Sequence, residues 1–381
     1  MMRWLALPST YIVLPMLVAC ALTWLTYDVP PDYLEGLVWL VVSSLALAAA
    51  DGIRGTRRMD WPALRSMHFA GTREGLVALA FAGAIAVFCF IDLVFFPIPL
   101  FDEPAAYASM AGGREHIRHV SDMCWVLVPI AMLCTDRRPL RWSLLALGFA
   151  FPILVIDRNR LFAALCALGL LMLLRRDRSR RLPWGRGLVL LVGGAATFSV
   201  LGIVRSGTLD YVTLPFDDLY RASPPGIKWL LLYATAGPYN FSAILAKGYT
   251  NASFLVNQLV PLAGSVATAG TDIPLDAKNI NVGTEYFPFL MAWGAGGALL
   301  SMGLLYGMLA WSMRRLRDGV SLFALLIFLR MAYVCLMAPF APQAFTWTNF
   351  GFIALCLLMQ WLAWLLPVRS NSHGDRVATF G

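Results

Sequence analysis

Four arginines stand where arginine is costly and therefore informative: Arg158 and Arg160 in the polar turn Asp157-Arg158-Asn159-Arg160, Arg205 at the end of an apolar run, and Arg330 inside another. A guanidinium presents a planar fork of N–H donors and keeps its charge at low dielectric, so it suits a phosphate held close to lipid. A convergent set would bind a pyrophosphate and, by neutralising charge that grows as the group departs, stabilise a transition state. Each arginine also has a structural reading. Arg205 fits a snorkelling anchor at a span end, Asp157 can neutralise one arginine of the turn, and Arg330 can pair with Asp92. Glu285, at the mouth of a later apolar run, is the acidic candidate, a carboxylate placed to take a hydroxyl proton as general base. Asn159, Asp210, Tyr239, Asn240, Asn281 and Tyr286 complete the polar set expected to touch a substrate.

Other reactive types give less. His116 and His119 share a helical face, but a metal needs a third ligand, so a polar surface turn is the expectation. Asp28, Asp32 and Glu35 form a loosely spaced acidic loop, and the carboxylates Asp102, Glu103, Asp217, Asp218, Asp272 and Asp276 read as solvated loop charges. No phosphate-binding glycine loop, dinucleotide fingerprint, His-Glu-x-x-His or Gly-x-Ser-x-Gly occurs, and no cofactor or metal is expected. The seven cysteines fall in apolar stretches without zinc or disulfide spacing and read as packing residues.

The elements that must hold these residues are membrane helices. The chain has 381 residues, 59% apolar and 14% charged, with mean hydropathy +0.68. A soluble domain is nearer half apolar and a quarter charged, so an ordinary soluble enzyme is excluded and an all-α, polytopic integral membrane protein is expected. The net charge of +8 then signifies basic cytoplasmic loops rather than a nucleic-acid partner. Ten spans can be drawn, at about 9–26, 34–50, 75–95, 120–135, 142–156, 161–174, 187–204, 287–311, 319–338 and 346–366. With the N-terminus cytoplasmic, 20 of the 30 basic residues fall in the inside segments, from Arg3 through the clusters at 54–73, 137–141, 175–186 and 314–317 to Arg369 and Arg376. Both termini are then cytoplasmic, and the candidate residues fall on the outer side.

The domain reading is a single membrane domain, 1–367, with a large periplasmic loop over 205–285, followed by a cytoplasmic tail, 368–381. Spans 142–156 and 161–174 are short, so the Asp-Arg-Asn-Arg turn between them should sit recessed in a cavity or against headgroups. Merging them would bury that turn at mid-bilayer, where each charge costs roughly 2.5–3.5 kcal/mol. Within the loop, segments 228–246 and 254–268, broken at Gly237-Pro238 and Pro261, read as re-entrant or interface-lying helices; if both crossed, the count would be twelve. Leu17-Val18-Ala19-Cys20 fits a lipoprotein cleavage box, but the apolar run continues past it, which favours an uncleaved first span.

The run Asn281-Val-Gly-Thr-Glu-Tyr-Phe-Pro-Phe-Leu-Met-Ala-Trp-Gly294-Ala-Gly-Gly297 resembles the span after the large periplasmic loop in bacterial O-antigen and exopolysaccharide repeat-unit polymerases (Wzy type) and the related O-antigen ligases. The turn bearing Arg158 and Arg160, and Arg205 at the start of the loop, match further features, over about residues 140–310. Where the ligases carry a histidine at the span mouth, this chain has Gly283 and Thr284 followed by Glu285, which favours the polymerase. The resemblance implies an inverting, metal-independent transfer of a growing glycan from polyprenyl diphosphate to a sugar hydroxyl of a new lipid-linked unit, with a chain-length regulator and a flippase as possible partners beside membrane lipids. On that reading Arg158 and Arg205 hold the diphosphate, Arg160 and Arg330 assist, and Glu285 is the base.

Three alternatives stay open. A lipid-linked oligosaccharide flippase or exporter would use the basic residues for binding alone, although no internal repeat is visible. A metal-dependent glycosyltransferase would use Asp28, Asp32 or Glu35. A membrane acyltransferase is suggested by Asp51-Gly-Ile-Arg-Gly55 with His68 downstream, against the basic stretch that separates them here.

Overall fold

The structure is a computed structural model that describes residues 4–54, 61–102, 104, 113–175, 184–209, 212–260, 273–277, 280 and 282–367. Asp210 and Asn281, both expected substrate contacts, lie outside the described residues, as do 261–268 of the second loop segment and the tail 368–381. The described residues form helices α1 (Pro8–Thr26), α2 (Leu34–Arg54), α3 (Trp61–Arg65), α4 (Arg73–Phe95), α5 (Arg114–Ser121), α6 (Leu127–Leu133), α7 (Arg138–Leu154), α8 (Arg158–Leu174), α9 (Trp184–Ser206), α10 (Asp218–Arg221), α11 (Pro225–Lys247), α12 (Ala252–Leu259), α13 (Phe287–Asp318), α14 (Leu322–Leu336) and α15 (Trp347–Leu365). Six stretches are long and apolar enough to cross a membrane: Pro8–Thr26, Pro31–Ile53, Arg73–Phe95, Gly187–Arg205, Phe287–Asp318 and Trp347–Leu365. This is a helical membrane protein.

The count of ten crossings is corrected here. The run expected to span at 120–135 is broken into α5, a 3-10 turn over Asp122–Val126, and α6. α7 and α8 have 17 residues each and α14 only 15. The reason lies in what the apolar residues face. From Leu322 to Leu329 every residue of α14 is buried, so this helix is apolar all round because protein surrounds it, against α1, α4, α8, α13 and α15. An apolar run records burial, and burial inside a bundle reads the same as burial in lipid.

Local chemistry sets the boundaries. Thr72 caps α4 by accepting the Gly75 N–H at 3.1 Å, Asp157 caps α8 through the Arg160 N–H at 3.1 Å, and Thr346 caps α15 through Asn349 N–H at 3.2 Å. Glu74 caps a different helix: its two oxygens accept Ser321 Oγ at 2.8 Å and Leu322 N–H at 2.6 Å, closing the start of α14. α13 bends at Trp293 and Gly294, where φ of +65° requires glycine.

These contacts sort the bundle into two ends. One holds Glu74 with Ser321, Arg73 with the Trp364 carbonyl, and Asp51, whose carboxylate takes the Ser9 N–H at 2.9 Å and Tyr306 hydroxyl at 2.7 Å. Arg141 and Arg175, bonded to the Thr135 and Met132 carbonyls, belong to it too. Asp51 thus ties α1, α2 and α13, while His68 pairs with Asp136 at 3.3 Å, so the two groups of the acyltransferase reading are engaged apart.

The other end is covered by α11. The expected break at Gly237-Pro238 is absent; the helix runs through it to Gly248, whose φ of +58° ends it. Along its length it meets the ends of its neighbours: Gly226 at Ser199, Trp229 at the Gly207 carbonyl, Thr235 at Thr23 and Tyr27, and Ser242 at Gly36. Those partners lie near the ends of α9 and α1 and the start of α2, so α11 lies across this end.

Candidate functional site

Beside α11, at the same end, the turn from α7 to α8 holds Ile156 at φ +53°. A β-branched residue in that region is strained, and here it is fully buried and followed by Asp157, the α8 cap. The first residues of α8 then face different sides, as residues two apart on a helix do.

Asn159 and Arg160 face a cavity of about 380 Å³ that also takes in His119, Asp122, Arg330, Gln343 and Thr346. Arg160 is ion-paired to both Asp122 and Asp157. Arg330, from α14, has its Nε bonded to Asn349 Oδ1 at 3.0 Å, and among the described residues no carboxylate lies within ion-pair reach of it. Its charge is the one a ligand would have to meet. Thr346 and Thr348, with hydroxyls 3.0 Å apart, bring the N-terminus of α15 to the same wall, adding the positive end of a 19-residue helix.

The polar wall is organised by Asn159 and Gln343. Asn159 Oδ1 accepts the Gln343 amide at 2.9 Å and a short bond from the Tyr333 hydroxyl, which also reaches the Asn159 carbonyl at 2.7 Å. Gln343 is 8% exposed, and among the described residues neither its Oε1 nor Asp122 Oδ1, both buried atoms, has a hydrogen-bond partner. The Arg330 guanidinium at this polar wall suits an anionic group.

Glu285 is not in the cavity. It is fully buried, and its carboxylate accepts the backbone N–H groups of Gln343 at 2.6 Å, Ala344 at 3.0 Å and Phe345 at 3.4 Å. Its own N–H reaches the Ala338 carbonyl at 2.6 Å. Burial pushes the carboxyl up to about 7, while those three N–H donors and the nearby Arg330 pull the other way. The side chain expected as a base is instead the anchor of the loop that carries Gln343 and caps α15.

The other expected contacts divide. Arg158, 9% exposed, turns away from Arg160: its guanidinium lies 4.5 Å from the Phe198 ring centre and 5.3 Å from those of Trp229 and Tyr233. Gly202 leaves it room, since a Cβ there would stand 3.1 Å from Arg158 Nη1. Arg205, half-buried at the end of α9, does not line the cavity. Tyr239 is buried and donates to Asp276 at 2.9 Å, joined there by Tyr33 and by Lys247 at 2.6 Å. Asn240 donates to the Ile280 and Val282 carbonyls, and Tyr286 is fully buried in the core. These three hold α11 and the start of α13 in place rather than a substrate. The four-arginine set therefore resolves into Arg160 and Arg330 at the cavity.

Sequence reasoning assigned His119 to a surface turn; it is half-buried at the cavity rim, edge-on to Trp347 at 4.8 Å. Asp92, fully buried, belongs to Arg114 at 2.9 Å and Arg118 at 2.5 Å, not to Arg330. The i, i+4 spacing of Arg114 and Arg118, in the segment that follows the span holding the lone Asp92, was the signal for that pairing.

Behind α8 lies a second, apolar groove of about 490 Å³, lined by Phe162, Leu190, Gly194, Leu230, Leu336 and others. Tyr333 lines this groove, and its hydroxyl bonds to Asn159, which lines the polar cavity. Phe198 and Tyr233, which carry Arg158, line the groove as well. No known protein family, no curated protein and no solved structure matches this chain.

Proposed function

We propose that this protein is a glycosyltransferase of the bacterial inner membrane that polymerises lipid-linked oligosaccharides at the periplasmic face. The observation that carries the reading is the adjacency, across Tyr333, of a polar cavity with one uncompensated arginine and an apolar groove. A polyprenyl-diphosphate sugar has that division: an anionic group between an isoprenoid chain and a hydroxyl-rich glycan. The basic residues near Arg141 and Arg175 at the opposite end support a cytoplasmic assignment for that end, with the cavity outside.

In this reading Arg330 and the α15 N-terminus receive the diphosphate, with Arg160 beside them, and the groove takes the chain. The acceptor hydroxyl oxygen bonds to the anomeric carbon as that carbon's bond to phosphate breaks, and the diphosphate leaves with both electrons. Arg330 meets the charge that grows on it. Gln343 borders the space where the acceptor sugar sits. The proton passes to His119, the imidazole at the rim, in the role first given to Glu285.

The test is purified protein in detergent with a polyprenyl-diphosphate-linked repeat unit, in EDTA, comparing wild type with Arg330→Ala and His119→Ala. A glycan ladder from wild type and its loss in both variants supports the reading. Folded wild type that binds the lipid but lengthens nothing would sink it. Transfer of labelled lipid across vesicles would then favour a flippase, which the same cavity and groove would serve without a base.

A further inference from the structure

At the opposite end of the bundle, α4, α13 and α15 enclose a third space, of about 510 Å³, whose walls include Arg73, Arg315, Gln360, Trp361 and Trp364. Arg73 Nη1 donates to the Trp364 carbonyl at 3.3 Å, and Arg315 Nη2 to Gln360 Oε1 at 2.9 Å. These neutral acceptors use one donor of each fork, and among the described residues no carboxylate lies within ion-pair reach of either. The neighbouring arginines behave differently: Arg314 and Arg317 both pair with Asp318, at 3.6 and 3.8 Å. Glu74 also borders the space, but both its oxygens are committed to the start of α14. The cavity therefore holds two guanidiniums whose charges are met by no acid among the described residues.

Its surroundings are those of the bilayer interface. Trp361 and Trp364 are 54% and 73% exposed, as tryptophans of an interfacial belt are. On either side, Leu76 of α4 and Leu358, Leu362 and Leu365 of α15 present exposed apolar surface in the direction of the helix axes. A ligand that fits has a singly charged phosphodiester for the two forks and two chains for those apolar faces.

We infer that Arg73 and Arg315 form a binding site for the headgroup of an anionic phospholipid, on the face of the protein opposite the candidate active site. The site is independent of the polymerase reading. Its phosphodiester lies between the guanidiniums, its glycerol region against Trp361 and Trp364, and its chains along α4 and α15.

The experiment uses the full chain in neutral detergent, with lipid occupancy read by native mass spectrometry and thermal unfolding followed in parallel. Phosphatidylglycerol should be retained and raise the melting temperature, phosphatidylcholine should do neither, and Arg73→Gln/Arg315→Gln should weaken phosphatidylglycerol retention at least tenfold. Arg314→Gln, at an arginine already paired with Asp318, should bind as wild type does. Equal retention of both lipids, or undiminished retention by the double variant, would overturn the site. Inorganic phosphate that displaces the lipid at millimolar concentration would assign the pair to a free anion and overturn it as well. Should the double variant fail to fold, Trp364→Leu, which keeps both charges, is expected to weaken retention several-fold, and retention equal to wild type would overturn the lipid assignment.

Discussion

At the scale of single residues, charge compensation separates function from structure. Arg160, paired with Asp122 and Asp157, is held; Arg330, hydrogen-bonded to Asn349 and with no carboxylate within ion-pair reach among the described residues, borders the cavity. Arg330→Ala should lower kcat by about 10²–10³-fold, the usual effect of losing one donor to developing negative charge. Arg330→Lys should recover part of that, since charge returns without the fork. A kcat unchanged beside a raised KM would show that Arg330 binds ground and transition states alike. Glu285 makes a prediction of the opposite kind. With its pKa raised from 4.5 to about 7, the folded protein holds this proton to a higher pH than the unfolded chain does. Its contribution to stability therefore falls as pH rises from about 4.5 to about 7 and is level above that. Ionisation strengthens the three N–H bonds from 343–345, so activity should rise with pH across the same range as the loop tightens. Glu285→Gln should flatten that rise and speed amide exchange at Ala344 and Phe345; exchange equal to wild type would deny the anchoring role.

At the scale of elements, the sequence showed most of what hydropathy can show. Each expected span coincides with a helix or, at 120–135, with a chain of short ones. The turn at 157–160 was legible because two arginines and an aspartate are too costly to bury without purpose. What it could not show is which helices face lipid, because α14 is as apolar in the protein core as a span is in the bilayer. Nor could it show partners far apart in the chain: Glu285 meets residues 58–60 positions away, and Asn159 meets Tyr333 and Gln343 across still longer separations. Their residue types are ordinary and only the fold makes them a site. One close approach joins the cover helix to the loop of that site. A Cβ at Gly237 would stand 1.9 Å from the Pro339 carbonyl oxygen, backbone against backbone, whereas at Gly303 in α13 it would meet nothing within 4 Å. Gly237→Ala should cost about 1–3 kcal/mol or more by overpacking, seen as a lowered melting temperature, while Gly303→Ala should leave it nearly unchanged. A Gly237→Ala protein as stable as wild type would mean that α11 does not press on this loop.

At the scale of the whole molecule, the proposed function depends on which end faces out. Arg73, Arg141, Arg175 and Arg315 lie at one end, which the proposal, following the positive-inside bias, assigns to the cytoplasm. The cavity, α10 and α11 are at the other. Thiol labelling can decide this cleanly because six of the seven native cysteines are buried, Cys166 is only half-exposed, and none is needed for the proposed chemistry. Ala222, exposed just after α10, and Ser66, exposed just after α3, mark the two ends. In intact spheroplasts, a membrane-impermeant maleimide should label Ala222→Cys fully and Ser66→Cys only after the membrane is opened. Labelling in the reverse order would put the Arg330 cavity in the cytoplasm, where polyprenyl-linked units are assembled rather than joined, and polymerisation would give way to a transfer that builds the unit. Equal labelling of both before opening would place the two ends on one side, the outcome expected if Arg73–Phe95 and Gly187–Arg205 were the two crossings between them, and would overturn the proposed orientation.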